Sequence, residues 1–216
     1  MLLDIPHDVV FNRLPLDTIS FPKIHQNPVP TEALLAIRTI FQKHAVDHEL
    51  GLALTHRHFA LQPGEQLVEY ENVATPWLTS TLNPVLKARL VPKTWAYVEG
   101  ELYAYEFSFV PAASTSDMKP YEFKQEFLAE FREALLKYGL EETFGLARFP
   151  DTGPCDGVPM MEFTAGRANV TIPVSDGVEG AGPFHPDATW MFPCIWDQSV
   201  DGDGKPTMRW CGKAAH

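Results

Sequence analysis

Only three cysteines, 17 basic residues and no extended apolar run occur among the 216 residues, and each shortage argues against a class of protein. An odd, low cysteine count with no CxxC pair argues against a disulfide framework or a zinc ribbon, and it fits a reducing compartment. The cytoplasm is therefore the expected location. The basic residues are outnumbered by 28 acids, which leaves a formal charge of −11 and a pI of about 5.1. Such a surface repels phosphate, so neither nucleic acid nor an anionic membrane is an expected partner. No stretch approaches the ~20 apolar residues that span a bilayer. The opening residues, MLLDIPHDVVFNRLPLD, carry Asp4, Pro6 and Asp8 where a secretory signal has basic charge followed by unbroken apolar sequence. A phosphate-binding loop, a GxGxxG turn, a GxSxG elbow and an HExxH helix are all missing.

What remains is a chain 45% hydrophobic and 12% aromatic, enough to build one globular domain with a substantial core. Residues 1–30 hold Pro6, Pro15, Pro22, Pro28 and Pro30, and proline's fixed φ and missing donor suggest an extended arm lying on that domain. A helix is expected from Thr31, with Leu34, Ile37 and Phe41 at helical spacing. A longer one is expected from about Pro120 to Tyr138. Its stripe of Phe123, Phe127, Phe131 and Leu135 ends at Gly139, a residue suited to a helix stop.

Between and after these helices the pattern alternates with period two. The segment 50–61, LGLALTHRHFAL, suggests a strand that turns at Gln62–Glu65 and returns as EQLVEYE. Residues 72–93 look irregular. A second hairpin is expected over 94–110, turning at Glu99-Gly100, with Tyr103, Tyr105, Phe107 and Phe109 on one face. Further strands are expected at FGLARF, at MMEFT and NVTIPV around Gly166-Arg167, and in the tail. Successive hairpins imply a mostly antiparallel sheet, because parallel neighbours need crossovers. The expected fold is α+β, a single domain with the two main helices packed on one face of the sheet.

The richest chemical feature is His56-Arg57-His58. On a strand, positions i and i+2 share a face, which puts the two imidazoles roughly 6–7 Å apart. If Leu61 pairs with Gln66 across the turn, His58 faces Glu69 and His56 faces Glu71. Two imidazoles and two carboxylates form a donor set for zinc or iron, with Glu69 able to serve instead as general base. A register slip of one residue would bring Val68 and Tyr70 across, and the sequence leaves both registers open. The plainer reading keeps both histidines as an extension of the apolar face of Leu50, Leu52 and Leu54, bonded to backbone.

Weaker groupings are Cys194, Cys211 and His216 in the tail with His185 or Cys155 as a fourth zinc ligand, and His44 with His48 at i, i+4. Cys155 stands between Asp151 and Asp156, which would raise its pKa and blunt its reactivity as a nucleophile.

The stretches GLALTHRHFALQPGEQLVE and YGLEETFGLARF, with the tryptophan- and cysteine-containing tail, resemble a group of proteins of filamentous fungi that share an HRHF hairpin. The resemblance covers most of the chain after residue 31. It implies no activity, cofactor or catalytic residue. Three functions follow from the residues themselves: a metal-dependent enzyme acting on a small molecule, a cofactor-free enzyme using His56 or His58 as base, or a non-catalytic interaction or ligand-binding domain. The residues do not set the oligomeric state.

Overall fold

The computed structural model describes residues 5–109, 120–148, 160–173, 189–190 and 213–215. Within them the helices are α1 (His7–Arg13), α2 (Asp17–Gln26), α3 (Thr31–Lys43), α4 (Pro84–Lys87) and α5 (Gln125–Lys137). The strands are β1 (Leu50–Leu54), β2 (Glu65–Tyr70), β3 (Val73–Leu78), β4 (Leu90–Val98), β5 (Glu101–Phe109), β6 (Phe144–Arg148), β7 (Met160–Ala165), β8 (Ala168–Pro173), β9 (Thr189–Trp190) and β10 (Lys213–Ala215). All join one sheet in the order β10, β7, β8, β3, β2, β5, β4, β6, β1, β9. The fold is α+β. Its pairs are antiparallel except β2 with β5 and β7 with β10.

Local chemistry explains the elements that matched expectation. Glu99 and Gly100 both take positive φ, as a tight β4–β5 turn requires, and Tyr97 pairs with Leu102 across it. Gly139 ends α5 in the left-handed region at φ 67°. In α5 the face of Phe127, Phe131, Ala134 and Leu135 is buried against Leu34, Ile37 and Phe41 of α3 and against Leu50, Leu52 and Leu54 of β1. Helix α5 starts at Gln125 rather than Pro120, because Tyr121 and Phe123 instead lay their rings near Trp95, with centroids at 6.4 and 5.0 Å.

Two expectations are corrected. The proline-rich arm is not extended: α1 and α2 occupy it, and Val10, Phe11 and Leu14 pack with Leu67, Ala96, Val98 and Tyr105. Pro6 and Pro30 stand at the caps of α1 and α3, where a missing N–H costs no intrahelical bond. Residues 72–93, expected to be irregular, contain β3 and α4. Side chains from alternate β4 positions enter different cores: Trp95 belongs to the cluster around α3 and α5, and Ala96 and Val98 to the cluster around α1. Among the described residues, no helix is long and apolar enough to cross a membrane.

A surface link ties the β7–β8 turn to the start of β2. Arg167, in the β7–β8 turn, donates through Nη1 to Glu65 Oε1 at 3.0 Å and through Nη2 to the Ala60 carbonyl at 3.0 Å. The guanidinium holds the Glu65 carboxyl below its ordinary value. A depressed carboxyl stabilises the fold above its unfolded pKa, and that contribution is lost as pH falls through the folded one. Arg167→Gln is therefore expected to be less stable than the parent near neutrality, with the gap narrowing as pH falls below the ordinary glutamate value of about 4.3 and through the lower folded one. Urea unfolding at several pH values checks this; a gap of constant size would remove Glu65–Arg167 as its source.

Candidate functional site

The His56–His58 segment lies just past a strand end, not within a hairpin. β1 stops at Leu54, and Thr55 is pinned to the loop before β6, its N–H on the Thr143 carbonyl at 2.9 Å and its Oγ1 on the Glu142 carbonyl at 2.7 Å. The chain then runs beside the link between α1 and α2. Arg57 N–H donates to the Pro15 carbonyl at 2.9 Å, and Asp17 N–H donates to the Arg57 carbonyl at 3.0 Å. The Arg57 side chain turns back to the Leu14 carbonyl, Nε to oxygen 2.9 Å. Three residues on, Asn12 clamps Leu61 through both of its amide atoms, at 2.8 and 2.9 Å. Backbone donors and acceptors left over at a strand end are thus satisfied by a segment 40 or more residues earlier.

This docking brings Asp17, the first residue of α2, to His58. Asp17 Oδ2 lies 3.1 Å from His58 Nδ1, and its Oδ1 accepts the Thr18 N–H at 2.7 Å. A carboxylate at a helix N-terminus is favoured by the unpaired amides there. His56 Nδ1 lies 3.0 Å from the Leu54 carbonyl. The two Nε2 atoms face each other at 3.1 Å, with ring centres 4.9 Å apart and planes at 85°. The His58 side chain is only 3% exposed and Asp17 27%, while His56 is half-buried.

No protein-family model, curated protein or solved structure matches this chain. The reading of the site therefore rests on its geometry.

The expected carboxylate partners are elsewhere. β2 pairs with β3 and β5, and β1 pairs with β6 and β9, so the β1–β2 hairpin does not form. Glu69 is instead bonded to Lys93 of β4, and Glu71 is an exposed turn residue at φ 56°. Neither joins the histidines, and among the described residues no group of three or more His, Cys, Asp or Glu side chains is arranged to hold a metal. His44 caps α3, with Nε2 3.4 Å from Glu130 and its ring against Phe127, while His48 is exposed. Cys155, His185, Cys194, Cys211 and His216 lie outside the described residues.

The residue that sequence reasoning missed is Asp17. Its one local sign is an acid two residues after Pro15, where a helix could begin. A cavity of about 500 Å³ opens beside the site, lined by Arg13, Ser20, Lys23, Thr55, Glu99 and Glu142 among others. Thr55, the residue before His56, forms part of its wall; neither histidine does.

Proposed function

We propose that this chain is a small enzyme, metal-dependent or histidine-based, that acts on a small molecule with His56 and His58 as its reactive groups. The observation that carries the reading is the convergence of two Nε2 atoms at 3.1 Å while both outer nitrogens are held by acceptors. An imidazole pair positioned from both ends is preorganised to hold a cation or to move a proton, and preorganisation is what distinguishes a reactive group from a surface histidine. The adjoining cavity of about 500 Å³ is of a size that suits a small ligand. The scarcity of cysteine and the acidic surface fit a cytoplasmic protein without a nucleic-acid partner.

A second reading, a non-catalytic ligand-binding domain, is favoured by one observation: the cavity wall includes Thr55 but neither histidine. The experiment that separates them is a thermal-shift panel of carboxylic acids, phosphate esters and carbonyl compounds, run on the parent and on the double variant His56→Ala, His58→Ala. A compound class that raises the melting temperature of the parent, leaves the variant unmoved and is turned over by the parent is the expected result. Equal shifts in both proteins without turnover would move the function to the cavity alone.

A further inference from the structure

We infer that the cavity beside the α1–α2 link binds a small zwitterion with an apolar body, a free apolar amino acid or a short apolar peptide. The inference rests on the reading of this cavity as a ligand site and makes no use of the histidine pair.

Three parts of the chain meet at the cavity: the end of α1 with α2, the β4–β5 turn, and the loop between α5 and β6. Its volume of about 500 Å³ falls in the ordinary range of small-ligand sites. Part of the wall is apolar, from Leu14, Ile19, Ala96 and Val98. Ile19 is 57% exposed, so α2 brings an uncovered apolar side chain to the cavity.

The charged residues of the wall divide into committed and uncommitted groups. Glu99 Oε1 accepts from Arg13 Nη1 at 2.6 Å, and Glu141 Oε1 accepts from Arg132 Nε at 2.7 Å. Both carboxylates are thereby matched. Lys23 and Glu142 are exposed and enter no ion pair among the described residues. They are one charge of each sign. A simple anion would satisfy Lys23 and be repelled by Glu142, and a simple cation the reverse. A zwitterion complements both.

Hydrogen-bond donors and acceptors separate along the same line. Ser20 and Thr55 are buried hydroxyl residues of the wall. Ser20 Oγ donates to the Thr55 carbonyl at 3.3 Å, and Thr55 Oγ1 donates to the Glu142 carbonyl at 2.7 Å. A hydroxyl has a single proton, so each oxygen is left with lone pairs alone to offer. With the Glu142 carboxylate they make an acceptor set, which suits the N–H groups of an ammonium. Lys23 and Arg13 make the donor set: an ammonium and a guanidinium have no acceptor, and Arg13 retains N–H groups beyond the Nη1 given to Glu99. A carboxylate only accepts, and it suits them. Donors for a carboxylate, acceptors for an ammonium and an apolar wall together describe the two free ends and the body of an apolar amino acid or peptide.

The test is calorimetric titration of leucine and of the dipeptide Leu-Leu into the full chain. One equivalent is expected to bind, and whichever probe binds more tightly names the source, amino acid or peptide. Blocking either end, as the amide or the N-acetyl derivative, is expected to weaken binding roughly 10- to 100-fold, the effect of losing a charged hydrogen bond. Lys23→Gln should erase the difference between free acid and amide while keeping that between free and acetylated amine. Glu142→Gln should do the converse. Both residues are exposed, and an unchanged urea midpoint shows that each variant is folded. Failure of both probes to bind, blocked forms that bind as tightly as free ones, or discrimination that survives both substitutions overturns the assignment. Gly-Gly binding as tightly as Leu-Leu overturns its apolar half. If neither probe binds while another compound class raises the melting temperature of the parent and of the double histidine variant equally, the zwitterion falls and the cavity keeps its role. If no compound moves either protein, both fall.

Discussion

Phe131→Ala is expected to lower the unfolding free energy by roughly 3–5 kcal/mol, read as a fall in the urea midpoint without a change in slope. Phe131 has no exposed surface. Its ring lies parallel to that of Phe127 at 5.8 Å and meets Phe41 of α3 edge-on at 5.6 Å. Tyr97 of β4 closes a further side at 6.2 Å. Removing the ring therefore empties a space bounded by two helices and a sheet. α3 and α5 cannot collapse into it without leaving β1 and β6, whose Leu50, Leu52 and Leu146 complete the same core. The cost should stand at the upper end for a large-to-small change, since aromatic pairs contribute about 0.5–1.5 kcal/mol beyond their buried area. A midpoint within error of the parent's would mean that α5 is not seated on this core.

Gly145→Ala is also expected to be strongly destabilising, although it adds a single methyl group. A Cβ at Gly145 would stand 1.9 Å from the Trp95 carbonyl oxygen and 3.2 Å from the Ala96 Cα. Both obstacles are backbone, so no side chain can rotate away. Gly145 lies in β6, opposite Ala53 of β1, and the neighbouring Leu146 pairs with Trp95 of β4. Making room requires β4 and β6 to separate in the middle of the sheet, with loss of ladder bonds and of the Trp95 contacts. Overpacking commonly costs about 1–3 kcal/mol, and a rigid backbone neighbour places this case at or above the top of that range. A thermal unfolding scan is the measurement, and a melting temperature unchanged from the parent's would show that the strands have room the structure denies them.

The two predictions concern residues of unequal visibility. Phe131 is part of a stripe at helical spacing, and its burial could be read from the neighbours at i−4 and i+4. Gly145 looks like any strand glycine; only the close approach of β4 shows why a side chain is excluded.

The candidate site divides in the same way. His56 and His58 stand out because two imidazoles two residues apart are uncommon on an apolar segment, and the structure does bring their rings together. It does so by a turn beyond β1 and not by the strand geometry that suggested it. Their partners were not legible. Glu69 and Glu71 looked suitable only through a hairpin that does not form, and Asp17 lies 41 residues away from His58.

By itself, then, the sequence determined what near neighbours determine: the helices at α3 and α5, the β4–β5 and β7–β8 hairpins, the turns at Gly100, Gly139 and Gly166, and which faces are apolar. Those features depend on φ preferences and on side-chain spacing within a few residues, and both are written locally. The tertiary structure decided which strands pair, that the proline-rich start is helical, and that Asp17 reaches His58. Alternation states which face of a strand is buried but not which strand lies beside it. β1 is buried along its whole length, so it gains most between β6 and β9 inside the sheet, whereas β2 finds β3 and β5. Once β1 is placed there, the free backbone groups after Leu54 are satisfied by the α1–α2 link, and that single docking event sets the histidine pair beside its carboxylate.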